Sequence, residues 1–187
     1  MKRVFIAVEV KNPALINKLI EIERSIEYLG VPIKMVEPEN LHITLVFIGE
    51  VEEDIVEEIK SAISEVVSPP ISAQLVGMGA FPTIHSPRVV WVGIKRGSQE
   101  IVQLQKKVES ALREHRISFE KERNFVPHLT LGRVKGKRNI EKLASFIEKN
   151  ADMVFGDEEF NEIKLKESIL TPKGPIYKDL FIQKMLG

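Results

Sequence analysis

Two short segments of the chain share the pattern His-apolar-Thr-Leu. The first runs from His42 to Leu45 and the second from His128 to Leu131. The chain has 187 residues with only 4 His and 4 Thr, so chance would place a Thr two residues after a His about 0.09 times. Two such placements indicate a feature with a function.

Each copy lies in a segment that is predicted to be a β-strand. Side chains in a strand alternate between its two faces, so His42 and Thr44 point one way and the apolar residues between and after them point the other. His128 and Thr130 follow the same rule. If an approximate two-fold axis relates the copies, both pairs face one cleft.

Two imidazoles and two hydroxyls in one cleft suit substitution at phosphorus. In-line displacement needs a base for the attacking oxygen and an acid for the leaving oxygen, and imidazoles with pKa values near ~6.5 supply both. Threonine hydroxyls can donate hydrogen bonds to the non-bridging oxygens. No metal is needed, and the spacing alone leaves open which His is the acid.

Other interpretations of the two histidines stay open at this level. A single His on a strand is often a hydrogen-bonded structural residue. A pair could also ligate zinc, which needs at least one more ligand, and the sequence has neither His-x-His nor His-Glu-x-x-His. The β-propensity of Thr would explain the Thr residues, but it does not explain the His residues.

Composition limits the class of protein. The 27 Lys+Arg balance 27 Asp+Glu, which argues against a general nucleic-acid coat but not against an enzyme that grips one phosphate. The absence of Cys excludes disulfides, thiolate zinc sites and Cys nucleophiles. No apolar run approaches the ~18 residues of a membrane span, so we expect a cytoplasmic protein with no membrane partner. Abundant Lys, Glu, Ile and Val without Cys are typical of a heat-adapted source.

Strands and helices interleave along the chain and must position the two motifs. Amphipathic helices are predicted at 13–29, 52–67, 100–115 and 140–149. Strands are predicted at 3–10, 33–36, 41–48, 71–81, 88–95, 126–134, 163–170 and 177–185. The Pro69-Pro70 pair is the best candidate for a division into halves. Tight turns among the later strands favour an antiparallel or mixed sheet, and we predict an α+β fold.

With these motifs the sequence resembles the 2H phosphoesterase superfamily, and within it the RNA 2′,3′-cyclic phosphodiesterases, also called 2′-5′ RNA ligases. The resemblance covers nearly the whole chain. The segments that carry it are 5–7, 42–49, 81–82, 87–91, 127–133 and 174–177.

The resemblance implies a fold and an activity. The fold is a single bilobal domain over residues 1–187, with two pseudo-symmetric lobes of antiparallel sheet backed by helices and a central cleft. The activity is the opening of a 2′,3′-cyclic phosphate at an RNA 3′ end, including those of tRNA halves, to leave a 2′-phosphate. We expect a monomer that needs neither metal nor cofactor. The reverse reaction, 2′-5′ ligation, uses the same groups, and the alternative is a non-catalytic nucleotide- or RNA-binding module that uses the same cleft.

The resemblance also assigns roles. His42 protonates the departing 3′ oxygen, His128 accepts a proton from the attacking water, and Thr44 and Thr130 bind the phosphate. Arg133 matches an arginine of the family that approaches the phosphate. Strict alternation places Arg133 on the face opposite His128, so a bulge or strand end must redirect it. A solvent-exposed Arg is the alternative.

Four of the six residues from Arg133 to Arg138 are basic. One interpretation of this run is an RNA-binding surface, which Lys121 and Arg123 would extend. The other is a solvated loop with no binding role. Four aromatic residues are expected mostly in the core: Phe5, Phe47, Phe81 and Trp91. One aromatic residue near the cleft is expected to stack on a base, and the sequence does not indicate which. His85 and His115 are predicted to be non-catalytic.

Overall fold

Nine strands and four α-helices make up the part of the chain that this computed structural model describes, residues 1–186. The strands are β1 Lys2–Glu9, β2 Ile33–Met35, β3 His42–Val51, β4 Ile71–Pro82, β5 Pro87–Ile94, β6 His128–Val134, β7 Val154–Phe160, β8 Glu162–Thr171 and β9 Gly174–Lys184. The helices are α1 Pro13–Glu27, α2 Glu53–Ser64, α3 Ser98–Glu114 and α4 Ile140–Lys149. A short 3-10 helix spans Pro38–Asn40. No helix among residues 1–186 is long and apolar enough to cross a membrane.

The strands form two sheets, and every neighbouring pair is antiparallel. Sheet A has the order β3-β1-β8-β9, and sheet B has the order β2-β6-β5-β4-β7. Helices α2 and α3 pack together beside sheet A, whereas α1 and α4 pack on sheet B. The fold is therefore α+β with two lobes, as predicted: lobe A is sheet A with α2 and α3, and lobe B is sheet B with α1 and α4.

The predicted division at Pro69-Pro70 is wrong. Strand β2 comes from the first half of the chain but pairs in sheet B, while β8 and β9 come from the end and pair in sheet A. Each lobe is thus built from both halves. A Pro-Pro pair signals a local break in regular structure. It carries no information about strand partners, which are selected by the apolar faces that close the core.

Local signals locate most elements well. Helix α1 begins as predicted, with Asn12 Oδ1 accepting a hydrogen bond from the Ala14 amide at 3.2 Å and Pro13 in the first turn. Gly30, at φ 75°, lies in the left-handed region shortly after its end. Strand β7 was missed because its sequence contains Gly156 and three consecutive acids, which have low β-propensity. It lies at an edge of sheet B, where Asp157 and Glu159 are exposed and the buried Glu158 accepts a hydrogen bond from the Asn12 amide.

Alternation along the strands separates a core face from a cleft face. On β1, Val4, Ile6 and Val8 are fully buried in the apolar core, which spans both lobes. The residues that alternate with them, including Phe5 and Glu9, face the other way. The cleft face of sheet A therefore carries the polar and aromatic residues of β1, β3, β8 and β9.

Candidate active site

The first motif lies at the start of β3. The Nδ1 atom of His42 is 2.6 Å from the Asn40 carbonyl oxygen, and Nε2 is 3.0 Å from Thr44 Oγ1. A carbonyl oxygen can only accept, so Nδ1 carries a proton and donates it. In the neutral ring, Nε2 accepts from the Thr44 hydroxyl, and it is the nitrogen available for proton transfer.

The second motif, at the start of β6, repeats the contact of Nδ1 with a backbone carbonyl. The Nδ1 atom of His128 donates to the Val126 carbonyl oxygen at 2.9 Å. In both motifs the ring is oriented by the carbonyl of the residue two positions earlier. Each Nε2 is therefore the nitrogen left for a substrate.

Both motifs contain a β-bulge at the leucine that follows the threonine. Leu45 has no partner where β3 pairs with β1, and Leu131 has none where β6 pairs with β5. An extra residue shifts the alternation by one, so Phe47 and Arg133 return to the cleft face. The bulge that Arg133 required is present.

One cavity of about 250 Å³ brings both motifs together. Its lining includes His42 and Thr44 from lobe A and Thr130 and Arg133 from lobe B. Some Cα atoms of β3 and β6 approach within 8 Å. His128 is half-buried and is not among the described residues that line the cavity; it lies two positions before Thr130 on the same strand face.

Burial dominates the electrostatics of His42. It lowers the pKa of the imidazole, and the positive charges of Lys166 and Arg133 lower it further. The hydrogen bond to the Asn40 carbonyl and the charge of Glu9 oppose this effect. In the free protein, His42 is therefore neutral at a lower pH than an ordinary histidine.

A closed ring of four charges lies next to His42 on the cleft face of sheet A. Lys164 Nζ is 3.0 Å from Glu9 Oε2 and 2.8 Å from Asp179 Oδ2. Lys166 Nζ is 2.8 Å from Asp179 Oδ1 and also pairs with Glu9 Oε1. Both lysines are buried, and Glu9 is the register partner of His42. Sequence reasoning missed this ring, although the two lysines that alternate with the apolar Ile163 and Leu165 on β8 were a signal for it.

The cations around the cavity come from separate parts of the chain. Besides Arg133, its lining includes Arg3, Lys34 and Lys173. Within the basic run 133–138, Arg138 Nε donates to the Gly30 carbonyl at 3.1 Å and so has a structural contact. The positive charge at the cavity was therefore missed in part, because tertiary contacts assemble it from β1, β2 and the β8–β9 turn.

An aromatic ring contacts each histidine. The His42 ring centroid lies 5.2 Å from that of Phe5 and 5.5 Å from that of Tyr177. The His128 centroid lies 5.1 Å from that of Phe81, which in turn contacts Trp91. Phe5 is 4% exposed, whereas Phe81 is 40% exposed, so Phe81 departs from the expected core position. Tyr177 was not singled out from the sequence.

The two remaining histidines lie away from the cavity. His115, at the end of α3, bonds Glu58 at 2.7 Å and Glu65 at 2.9 Å. His85 is an exposed residue of the β4–β5 turn. Over residues 1–186, no group of three or more His, Cys, Asp or Glu is arranged to hold a metal ion.

Comparisons with known proteins place the chain in one family. A family model described as the 2′-5′ RNA ligase superfamily matches residues 32–155. An RNA 2′,3′-cyclic phosphodiesterase of Archaeoglobus fulgidus is 44% identical over 179 residues, which cover 95% of this chain and 97% of the relative. One of Aeropyrum pernix is 42% identical over 167 residues, 89% of this chain and 94% of the relative.

Solved structures share the whole fold. A crystal structure from Thermus thermophilus has a TM-score of 0.79 at 25% identity and covers 99% of this chain and 98% of its own. The apo form of E. coli LigT has a TM-score of 0.78 at 20% identity and covers 100% and 98%. The second likeness is one of fold alone.

Proposed function

Because the chain belongs to the 2′-5′ RNA ligase superfamily, we propose that it is an RNA 2′,3′-cyclic phosphodiesterase, a hydrolase that opens the cyclic phosphate at an RNA 3′ end and leaves a 2′-phosphate. One observation carries the proposal most directly. Two strands with the same His-x-Thr pattern, one from each lobe, meet at a cavity that contains Thr44, Thr130 and Arg133 around His42.

The chemistry balances with two proton transfers. Water attacks phosphorus and gives a proton to His128, the P–O3′ bond breaks, and His42 gives a proton to the departing 3′ oxygen. The hydroxyls of Thr44 and Thr130 donate to the non-bridging oxygens, and Arg133 balances their charge. Each His transfers its proton through Nε2, since each Nδ1 already donates to a backbone carbonyl.

The division of roles between the histidines follows the resemblance. Burial lowers the pKa of His42, which by itself favours the neutral ring over the imidazolium that a proton donor requires. A phosphate anion bound beside the ring acts in the opposite direction and stabilises the imidazolium. We therefore keep His42 as the donor in the substrate complex, with His128 as the acceptor.

Further parts of the proposal concern the substrate and the state of the protein. The enzyme acts as a monomer and a single bilobal domain on RNA ends such as those of tRNA halves. The same groups catalyse 2′-5′ ligation when a 5′-hydroxyl replaces water as the nucleophile: a P–O5′ bond forms and the P–O3′ bond breaks. A purely RNA-binding module is the competing function, but binding alone does not need two oriented imidazoles.

The test uses an RNA oligomer that ends in a 2′,3′-cyclic phosphate, with EDTA present. We expect a product that ends in 2′-phosphate, and loss of activity in both His42→Ala and His128→Ala while RNA still binds. The matched control is His85→Ala, which removes an exposed imidazole outside the cavity. Unchanged turnover in either motif variant, or a requirement for added metal, contradicts the mechanism.

A further inference from the structure

A second groove adjoins the catalytic cavity on the side of the β8–β9 turn. It measures about 560 Å³ and lies between the turn residues 171–177 and the 3-10 helix region. The groove and the cavity share Asn40, Lys173, Pro175 and Tyr177 among their lining residues. They are therefore two compartments of one continuous depression.

The catalytic cavity is too small to hold more than the end of an RNA strand. Its volume of about 250 Å³ is below the roughly 300–1,000 Å³ that small-molecule sites occupy. The cyclic phosphate and its ribose account for a space of that size. The preceding nucleotide must lie outside the cavity, and the adjoining groove offers it a continuous path.

The walls of the groove match the parts of a nucleotide. Pro172, Pro175 and Ile176 present apolar surface, and Ile176 is 55% exposed. Such a surface suits the flat face of a base. Because so much of the Ile176 side chain is exposed, it adds little to the core and is available to a ligand.

Cations lie where the phosphate between the two nucleotides would pass. Lys173 lines both compartments, and the side chain of Lys34 lies against Gly174 of the same turn. Lys34 is 3.7 Å from Glu37, so Lys173 carries the less compensated charge of the two. Glu37 and Glu39 lie on the opposite wall and can accept hydrogen bonds from the amino groups of a base.

We propose that this groove binds the second nucleotide from the RNA 3′ end, with its base against Ile176 and Pro172 and its linking phosphate at Lys173. The proposal rests on the proposed function and extends its site by one nucleotide, so that an oligonucleotide end is preferred over a free cyclic mononucleotide. A single stacked base and one neutralised phosphate are the expected sources of the preference.

The experiment compares adenosine 2′,3′-cyclic phosphate with the dinucleotide ApA ending in 2′,3′-cyclic phosphate. We expect kcat/KM to be about tenfold higher for the dinucleotide, the order expected when a base covers the exposed apolar surface of one isoleucine side chain. Ile176→Ser should remove most of this advantage and leave mononucleotide turnover unchanged. The matched control is Ile182→Ser, an exposed isoleucine of the same strand that lines neither compartment.

Salt dependence tests the phosphate contact. For the dinucleotide, the slope of log kcat/KM against log salt should be steeper by about 0.7 than for the mononucleotide, as expected for one additional single-stranded phosphate contact. Lys173→Gln should reduce this difference between the two slopes. If the two salt slopes differ as much in Lys173→Gln as in the unmodified protein, Lys173 does not bind the linking phosphate.

The outcomes separate this inference from the proposed function. Mononucleotide turnover with no dinucleotide advantage, or an advantage that Ile176→Ser leaves intact, overturns the groove but not the phosphodiesterase. If neither substrate is turned over, calorimetric binding of 2′-AMP and of ApA 2′-phosphate still decides. Tighter binding of the dinucleotide that Ile176→Ser abolishes supports the groove, and equal binding overturns it.

Discussion

The two His-x-Thr motifs have the same local structure in different surroundings. In both, Nδ1 donates to the carbonyl two residues earlier, a leucine forms the bulge, and an aromatic ring contacts the imidazole. Both histidines are half-buried, but His42 lies beside the charge ring, whereas His128 lies next to the exposed Phe81. The motif thus orients each ring, and the neighbouring strands give the two rings different surroundings.

The lobes also differ in how each supplies an arginine to the cavity. After the bulge, lobe B has Arg133 where lobe A has Phe47. In lobe A the guanidinium comes from the neighbouring strand: Arg3 Cζ lies 4.8 Å from the centre of the Phe47 ring. Each lobe therefore places a guanidinium at the cavity, but the two arginines occupy non-equivalent strand positions.

The largest expected effect separates the acid from the base. His42→Ala and His128→Ala should each lower kcat/KM on the cyclic phosphate by about 10²–10⁴-fold. On an aryl phosphodiester, whose phenolate leaves without a proton, His42→Ala should recover most of its activity because only the donor becomes dispensable. His128→Ala should not recover. Recovery of His128→Ala instead would exchange the two roles.

The charge ring should matter most for stability. Glu9→Gln removes one acid from two buried lysines, and breaking a buried pair costs about 3–5 kcal/mol of the free energy of unfolding. The substitution should also lower the pKa of His42, since the charge of Glu9 raises it. Urea unfolding and imidazole NMR titration measure the two effects.

The control for this prediction is Glu162→Gln, which removes the partner of Lys11 at a more exposed site. It should change stability by no more than about 1 kcal/mol. If both variants lose the same free energy of unfolding, the buried charge ring stabilises the protein no more than an exposed ion pair does.

Arg133 should contribute less than either histidine. A hydrogen bond to a charged group is worth about 1.5–3 kcal/mol, so Arg133→Ala should lower kcat/KM by roughly 10–150-fold. Arg133→Lys should recover part of this loss, because an ammonium keeps the charge but not the planar fork. If Arg133→Ala leaves kcat/KM unchanged and Arg3→Ala lowers it strongly, the arginine that contacts the phosphate comes from lobe A and the assignment to Arg133 is wrong.

The smallest expected effect is on the pH dependence of folding stability, to which His42 and His115 contribute in opposite directions. Hydrogen bonds to Glu58 and then Glu65 raise the pKa of His115, so its stabilising contribution is complete below the unfolded pKa of about 6.5 and is lost as pH rises through the folded value. The lowered pKa of His42 acts oppositely and costs stability as pH falls below about 6.5. His115→Gln should lower the melting temperature at acidic but not at alkaline pH. A deficit that is independent of pH would contradict this ionic role.

Sequence reasoning succeeded where the signal is local. The predicted bounds of α4 match the structure, the cap of α1 is the expected one, and both motif strands were located. The requirement that a bulge redirect Arg133 followed from alternation alone and is met. Strand β7 was missed because its edge position tolerates a sequence with little β-propensity.

Prediction from the sequence failed for features that depend on contacts between distant segments of the chain. The Pro69-Pro70 division was wrong because strand pairing exchanges β2, β8 and β9 between the halves. The charge ring and the cations Arg3, Lys34 and Lys173 were missed because each residue is unremarkable within its own segment.

The sequence by itself determined the chemistry: two imidazoles beside two hydroxyls, repeated in two strands, with ring orientations that depend on neighbouring backbone atoms. Only the tertiary structure decided the environment. It placed His42 beside a ring of four charges and His128 beside the exposed Phe81, because desolvation and Coulomb interactions depend on distances across strands rather than on positions along the chain. The groove beside the β8–β9 turn arises in the same way, from two segments more than a hundred residues apart.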